Sequence, residues 1–272
     1  MNCMVAHTGR GLALGVGLRI WQVLVGQFSW LRSNRVTWSQ RLRYTLSCCV
    51  DLPRDRGVNF FGASFRSDNN LGLLLLPTYL HEVEALRKEI TRDGGPSTGL
   101  RVLDIGANVG QFAVAALNLL DTRVVSFEPN PGLGEYWSHN SSAYRDRWTV
   151  VRQAVSAEKS TRDLHFVRGK SAQGSFSVEN ARSNLLGAKE VETVTVESGP
   201  ITELELAACG DRGTIFDLVK LDVEGHELDA LSGIKQLKFK YIQVEVAPDR
   251  PNGFSEQQLV FHLEQLMMCK VT

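Results

Sequence analysis

The sequence predicts an α/β protein built on a doubly wound, mostly parallel sheet. Three observations lead there. From residue 100 onward, short apolar runs alternate with segments of helical periodicity. The runs are continuous, as in strands covered by helices on both faces. The glycines and acidic residues gather directly after those runs, at the carboxyl ends where ligands of such sheets bind.

Each element follows from its local pattern. In 77–92, Tyr79, Leu80, Val83, Leu86 and Ile90 recur at spacings of three and four, which predicts a helix. Asp93-Gly-Gly-Pro-Ser-Thr-Gly99 breaks it. Strands are expected at 100–105, 123–127 and 148–155, with helices at 110–120 and 132–144 between them. The rhythm then breaks over 156–199, where 164–167 and 191–196 alternate as strands do. The intervening 169–187 is rich in Gly, Ser and Asn, so this insertion reads as a β-hairpin and a loop. A short helix at 201–208, strands at 216–221 and 241–246 and a helix at 227–234 resume the order. Ser255 is placed to cap a last helix reaching about residue 268.

The 272 residues suffice for one sizeable core, and thirty basic side chains balance thirty acidic ones, so no nucleic-acid partner is expected. Five scattered cysteines (Cys3, Cys48, Cys49, Cys209, Cys269) match neither a zinc spacing nor a disulfide framework and read as free thiols. The first fifty residues hold six arginines, no lysine and no acid. Within them 12–28 is apolar but interrupted by Arg19 and Gln22, short and costly for a membrane span. A basic transit-like segment, a weak signal anchor and a helix packed on the main domain all fit. The division expected is an arginine-rich extension over 1–60 and one domain over 61–272, with its core motifs in 100–246. A cytoplasmic location is expected, with organelle targeting or membrane association through 1–50 as the alternative.

The chemistry lies at the strand ends. After the first strand stands Asp104-Ile-Gly106-Ala-Asn108-Val-Gly110-Gln111. Gly106 and Gly110 allow a tight turn, or serve close packing, and the next helix offers free N–H groups. After the second strand, Glu128 is placed to accept hydrogen bonds from both hydroxyls of a ribose, at about the separation from Gly106 that a nucleoside-binding unit requires. A pyrophosphate loop would carry glycine where Asn108 stands, and Asp104 would repel a pyrophosphate while welcoming an ammonium. The loop therefore favours S-adenosylmethionine over a dinucleotide. Further on, Lys220 and Asp222 share one face of a strand, and Glu245 interrupts an apolar run. If their strands are neighbours, Lys220 and Glu245 pair, at the ligand rim or merely to fix the sheet.

Together, Val102-Leu-Asp-Ile-Gly-Ala-Asn-Val-Gly-Gln111, Phe127-Glu-Pro-Asn-Pro131 and Leu218-Val-Lys-Leu-Asp-Val-Glu-Gly-His-Glu227 resemble the FkbM family of methyltransferases. The resemblance implies a class I, Rossmann-like methyltransferase that transfers a methyl group from S-adenosylmethionine to a hydroxyl oxygen of a small molecule or glycan. It places Asp104, Gly106, Asn108 and Gly110 around the methionine part, Glu128 at the ribose, Ala154 and Val155 beside the adenine, and Asp222 beside the sulfonium. Ser175, in Gly174-Ser-Phe-Ser177, resembles a serine of the family's insertion and is a weaker candidate. Class I enzymes normally add two strands after the helix that follows strand five. Here the sequence stops at Thr272, so the last two strands are expected to be lacking, with strand five at an exposed edge and stability marginal.

Lys220, if burial lowers its pKa, and the carboxylates of Asp222 and Glu245 are the candidates for removing the acceptor's proton. Asp222, Glu224 and His226 would suit a divalent ion, but no metal is predicted, and His226 reads rather as an exposed residue at a helix start. Two rival readings are a non-catalytic relative that keeps the fold for binding and a nicotinamide-dependent oxidoreductase with a degenerate loop.

Overall fold

The computed structural model describes residues 37, 39, 57–61, 63–67, 76–167, 170–183, 191–208, 215–246 and 253–267. The five cysteines and nearly all of the arginine-rich segment lie outside these residues. Among the described residues, no helix is long and apolar enough to cross a membrane.

The elements run β1 (Val58–Phe60), β2 (Ala63–Phe65), α1 (Leu76–Arg92), β3 (Arg101–Ile105), α2 (Gln111–Leu119), β4 (Arg123–Phe127), α3 (Gly134–Ser141), β5 (Trp148–Val151) and β6 (Ala154–Val155). They continue with β7 (Ser160–Val167), β8 (Lys170–Ser175), α4 (Val178–Ser183), β9 (Glu192–Gly199), α5 (Glu203–Ala208), β10 (Ile215–Leu221), α6 (Glu227–Gly233), β11 (Lys238–Val244) and α7 (Glu256–Met267). The main sheet has the order β11-β10-β3-β4-β5, and every pair in it is parallel. Among the described residues no antiparallel strand lies beside β11, which forms an edge.

Successive side chains of a strand point to opposite faces, and both faces here are apolar. Val102, Val124 and Leu218 point into a core shared with Phe112, Leu80 and Trp137 of the helices α2, α1 and α3. Leu103, Val125 and Val219 point the other way, against Leu206, Leu231 and Leu259 of α5, α6 and α7. Helices on both faces satisfy the doubly wound expectation. Ser255 caps α7 as its sequence suggested: its Oγ accepts from the Gln258 N–H (3.3 Å), and Gln258 Oε1 accepts in return from the Ser255 N–H (2.7 Å).

Three expectations are revised. The third strand, read as 148–155, divides at Arg152 and Gln153 into β5 and β6, and β6 leaves the main sheet for a second one. The insertion is more than a hairpin and a loop: it closes a four-stranded sheet, β6-β9-β7-β8, in which β9 runs antiparallel to β7 and parallel to β6. The stretch 169–187 contains β8 and α4. The hairpin of β1 and β2 had no expectation at all. It straddles the supposed boundary at residue 60, and its Val58, Phe60 and Phe65 belong to the same core as α1 and α2. Finally, β11 begins at Lys238 rather than 241, because Lys238 and Lys240 point to solvent while Phe239 and Tyr241 are buried.

Candidate functional site

The loop after the central strand β3 is built by left-handed backbone. Gly106, Asn108 and Gly110 have φ of +80°, +51° and +93°. A Cβ on Gly106 would lie 1.8 Å from the main-chain oxygen of Asp222, so no other residue fits against the neighbouring loop. Gly110 serves packing instead: a Cβ there would meet the Trp148 ring at 2.2 Å, and Gly110 is absent from the cavity wall. Asn108 takes the left-handed turn without being glycine, its side-chain oxygen accepting from the Val109 N–H (2.6 Å). Two residues unmarked in the sequence hold this loop from outside. The indole N–H of Trp137 donates to Asn108 O (2.6 Å), and Asn140 Nδ2 donates to Val109 O (2.8 Å).

Glu128 follows β4 and faces the cavity. One of its oxygens accepts from the Asn130 N–H (3.0 Å) and the other from the Asn108 N–H (2.8 Å), so the carboxylate joins both strand-end loops. Burial pushes its pKa up to about 7, against the pull of those two amides and of Lys220. A carboxylate offers about four lone-pair sites, so acceptor capacity is left over for a ligand.

The end of β10 contributes Lys220, and the loop after it Asp222 and Glu224. Lys220 is 5% exposed, and its ammonium pairs with Asp222 (3.1 Å) and Asp104 (3.8 Å) and donates to Gly106 O (3.3 Å). The partner expected from neighbouring strands was Glu245. The register explains the difference: Lys220 lies opposite Gln243 and Asp104, whereas Glu245 falls beyond β11, its N–H donating to Leu221 O (3.0 Å). Burial alone disfavours the ammonium, but Asp222 and Asp104 outweigh it and hold the pKa above the ordinary lysine value. The condition for Lys220 to act as a base, a lowered pKa, is therefore not met. Asp104 is fully buried beneath the loop and does not line the cavity. Burial raises its pKa, with Lys220 and the Ser126 hydroxyl opposing.

The carboxylate oxygens of Asp222, Glu224 and Glu245 lie within 4.8 Å of one another. Any divalent ion at this end would meet Glu245 in the place expected for His226. The His226 ring packs edge-on against Phe176 (5.0 Å), inside the cavity wall rather than out in solvent. The loop carrying Glu224 is itself strained, with φ of +56° at Glu224 and +101° at Gly225. Glu227 Oε1 holds it by accepting from the Gly225 N–H (3.0 Å), and the Ser175 hydroxyl donates to Glu224 O (3.0 Å).

One cavity runs along these strand ends. Its lining includes the apolar Ala154, Val155 and Leu164 of the second sheet, Glu128 after β4, and Lys220, Asp222 and Glu245 at β10 and beyond β11. The methyltransferase FkbM domain matches residues 104–268. The chain belongs to the FkbM methyltransferase family.

The hexuronic acid methyltransferase AglP of Haloferax volcanii is 26% identical over 155 residues, 54% of this chain and 56% of that protein. The chain thus spans little more than half the length of this curated relative. Among solved structures, magnesium protoporphyrin IX methyltransferase from Synechocystis PCC 6803, with bound SAM, gives a TM-score of 0.40 at 15% identity, covering 86% of this chain and 88% of that one. Precorrin-6y C5,15-methyltransferase from Geobacter metallireducens GS-15 gives 0.37 at 17% identity, covering 68% and 70%. The FkbM match includes the glycine loop, Glu128 and the Lys220–Glu227 run, and it leaves out α1, which places Tyr79 in the cavity wall. Spacing alone put Tyr79 in the apolar pattern of a helix. Its half-buried position between the core and the cavity is a tertiary fact.

Proposed function

We propose that this chain transfers the methyl group of S-adenosylmethionine to a hydroxyl oxygen of a small, sugar-like acceptor. The observation that carries the reading is Glu128, a cavity-facing carboxylate with each oxygen oriented by a backbone amide. Such a group suits the two hydroxyls of a ribose, and the apolar slot of Ala154, Val155 and Leu164 suits an adenine. Asp104 beneath the glycine loop and Asn108 in place of glycine argue against a pyrophosphate. The sugar-like acceptor draws its support from the name of the Haloferax relative.

When bound, the sulfonium supplies an electrophilic methyl group with a good leaving group. The chain's task is then chiefly alignment, which can supply roughly 7–11 kcal/mol of a barrier. Asp222 and Glu245, neighbours in the cavity wall, are the groups proposed to take the acceptor's proton as its oxygen bonds to carbon. Lys220 stays charged and holds Asp222 and Asp104 in place.

Titration calorimetry with S-adenosylhomocysteine and with NAD tests the cofactor, and transfer of labelled methyl from S-adenosylmethionine into lysate fractions tests the reaction. Binding of the homocysteine form, its loss in Glu128→Ala and label in a carbohydrate fraction are expected. Heat from NAD alone would favour an oxidoreductase, and binding without transfer a non-catalytic relative.

A further inference from the structure

Gln111 opens α2, directly after the glycine loop, and forms part of the cavity wall. It is 4% exposed, yet its carboxamide has no hydrogen-bond partner among the described residues. Nor is that amide sealed within the protein, so the surface left to it opens on the cavity. A buried amide in this state is costly, and in a cavity wall the direct explanation is a ligand that supplies the partner. The main chain beside it is in the same condition. In α2 the Val114 N–H reaches back to Gly110 O (2.9 Å), but the N–H groups of Gln111, Phe112 and Ala113 have no main-chain partner among the described residues. Two carbonyls that a further turn would use, Asn108 O and Val109 O, are taken by the Trp137 indole (2.6 Å) and by Asn140 (2.8 Å). With Gln111 and Phe112 both in the wall, α2 brings its positive end, and a carboxamide beside it, to the cavity.

We propose that the Gln111 carboxamide, together with the first-turn amides of α2, binds the amino-acid carboxylate of S-adenosylmethionine. This rests on the cofactor reading above and adds a contact to it. The acidic part of the wall repels such a group. The oxygens of Asp222, Glu224 and Glu245 lie within 4.8 Å of one another, and Lys220 is already held by Asp222 (3.1 Å) and Asp104 (3.8 Å). Those acids suit the ammonium of the same amino acid. Its carboxylate is better met at the start of α2, by main-chain N–H groups and a neutral amide donor that bring no competing anion.

The test is calorimetry on the full chain, wild type and Gln111→Met, a change that keeps the length of the side chain and removes its amide. Three probes are used: S-adenosylhomocysteine, its decarboxylated analogue (ammonium kept, carboxylate gone) and methylthioadenosine (both gone). Losing a hydrogen bond to a charged group should weaken S-adenosylhomocysteine binding about 10- to 100-fold in Gln111→Met, with the other two probes within about twofold of wild type. No loss overturns the proposal. So does an equal loss for all three, which would mean a damaged cavity, or a loss shared with the decarboxylated probe, which would mean an ammonium contact. The wild type gives an independent arm that needs no variant to fold: decarboxylation should cost it at least about tenfold, and equal affinities would sink the idea. If wild type binds none of the probes, the cofactor reading itself fails, an outcome distinct from a Gln111→Met that binds as wild type does.

Discussion

Burial raises the Glu128 carboxyl to about 7, although the amides of Asn130 and Asn108 and the charge of Lys220 pull it down. The folded pKa thus lies above the ordinary 4.5, and the sign of the linkage follows. The contribution of this group to stability is complete at low pH and is lost as pH rises through about 7, roughly 3 kcal/mol in all. Ribose hydroxyls donating to the carboxylate would favour its ionised form, so binding should release protons near pH 7. Calorimetry of S-adenosylhomocysteine in buffers of different ionisation enthalpy measures that release. No proton exchange at pH 7 would detach Glu128 from the ligand. Thermal stabilisation by the same ligand should accordingly be larger at pH 8 than at pH 6.

The glycine loop depends on elements remote in sequence. Asn140 of α3, 2% exposed, donates to Val109 O and to Arg66 O (both 2.8 Å), and its Oδ1 accepts from the Arg66 N–H (2.7 Å). One side chain therefore ties the end of β2 and the loop after β3 to α3. Replacing it with alanine strands buried main-chain groups and should cost roughly 3 kcal/mol in chemical denaturation. A loss below about 1 kcal/mol would mean that water replaces those bonds. None of this was visible beforehand, because an asparagine within a helical pattern carries no mark of what it will touch.

The two sheets meet along α6. Arg162 of β7 pairs with Asp229 of α6 (2.6 Å), and the other Asp229 oxygen accepts from the Ala157 N–H (3.0 Å). A Cβ on Gly233 would lie 2.5 Å from Ser156 O, so helix and second sheet are in close contact there. The slot of Ala154, Val155 and Leu164 depends on that docking, since all three belong to the second sheet. Asp229→Ala should lower the melting temperature by a few degrees, about 2–4 °C for each kcal/mol lost, and weaken S-adenosylhomocysteine and methylthioadenosine alike. Destabilisation with unchanged affinity for both would show that the slot is set by the main sheet alone.

By itself the sequence determined the parallel sheet, its helices and the three strand-end motifs. Apolar runs, helical spacing and left-handed glycines are local signals, and they end up where their spacing implies. Only the tertiary structure decided which groups act on one another. Lys220 and Glu245 share an apolar context in the sequence, but register sets Lys220 between Asp104 and Gln243, so the lysine stays charged. Asp104 and Gly110 belong to the loop by spacing, yet one lies beneath it and the other packs on Trp148. Tyr79 and His226 line the cavity because α1 and the second sheet close over the strand ends. Such contacts join residues far apart in the chain, and the balance of burial against charge that sets their chemistry exists only once the chain has folded.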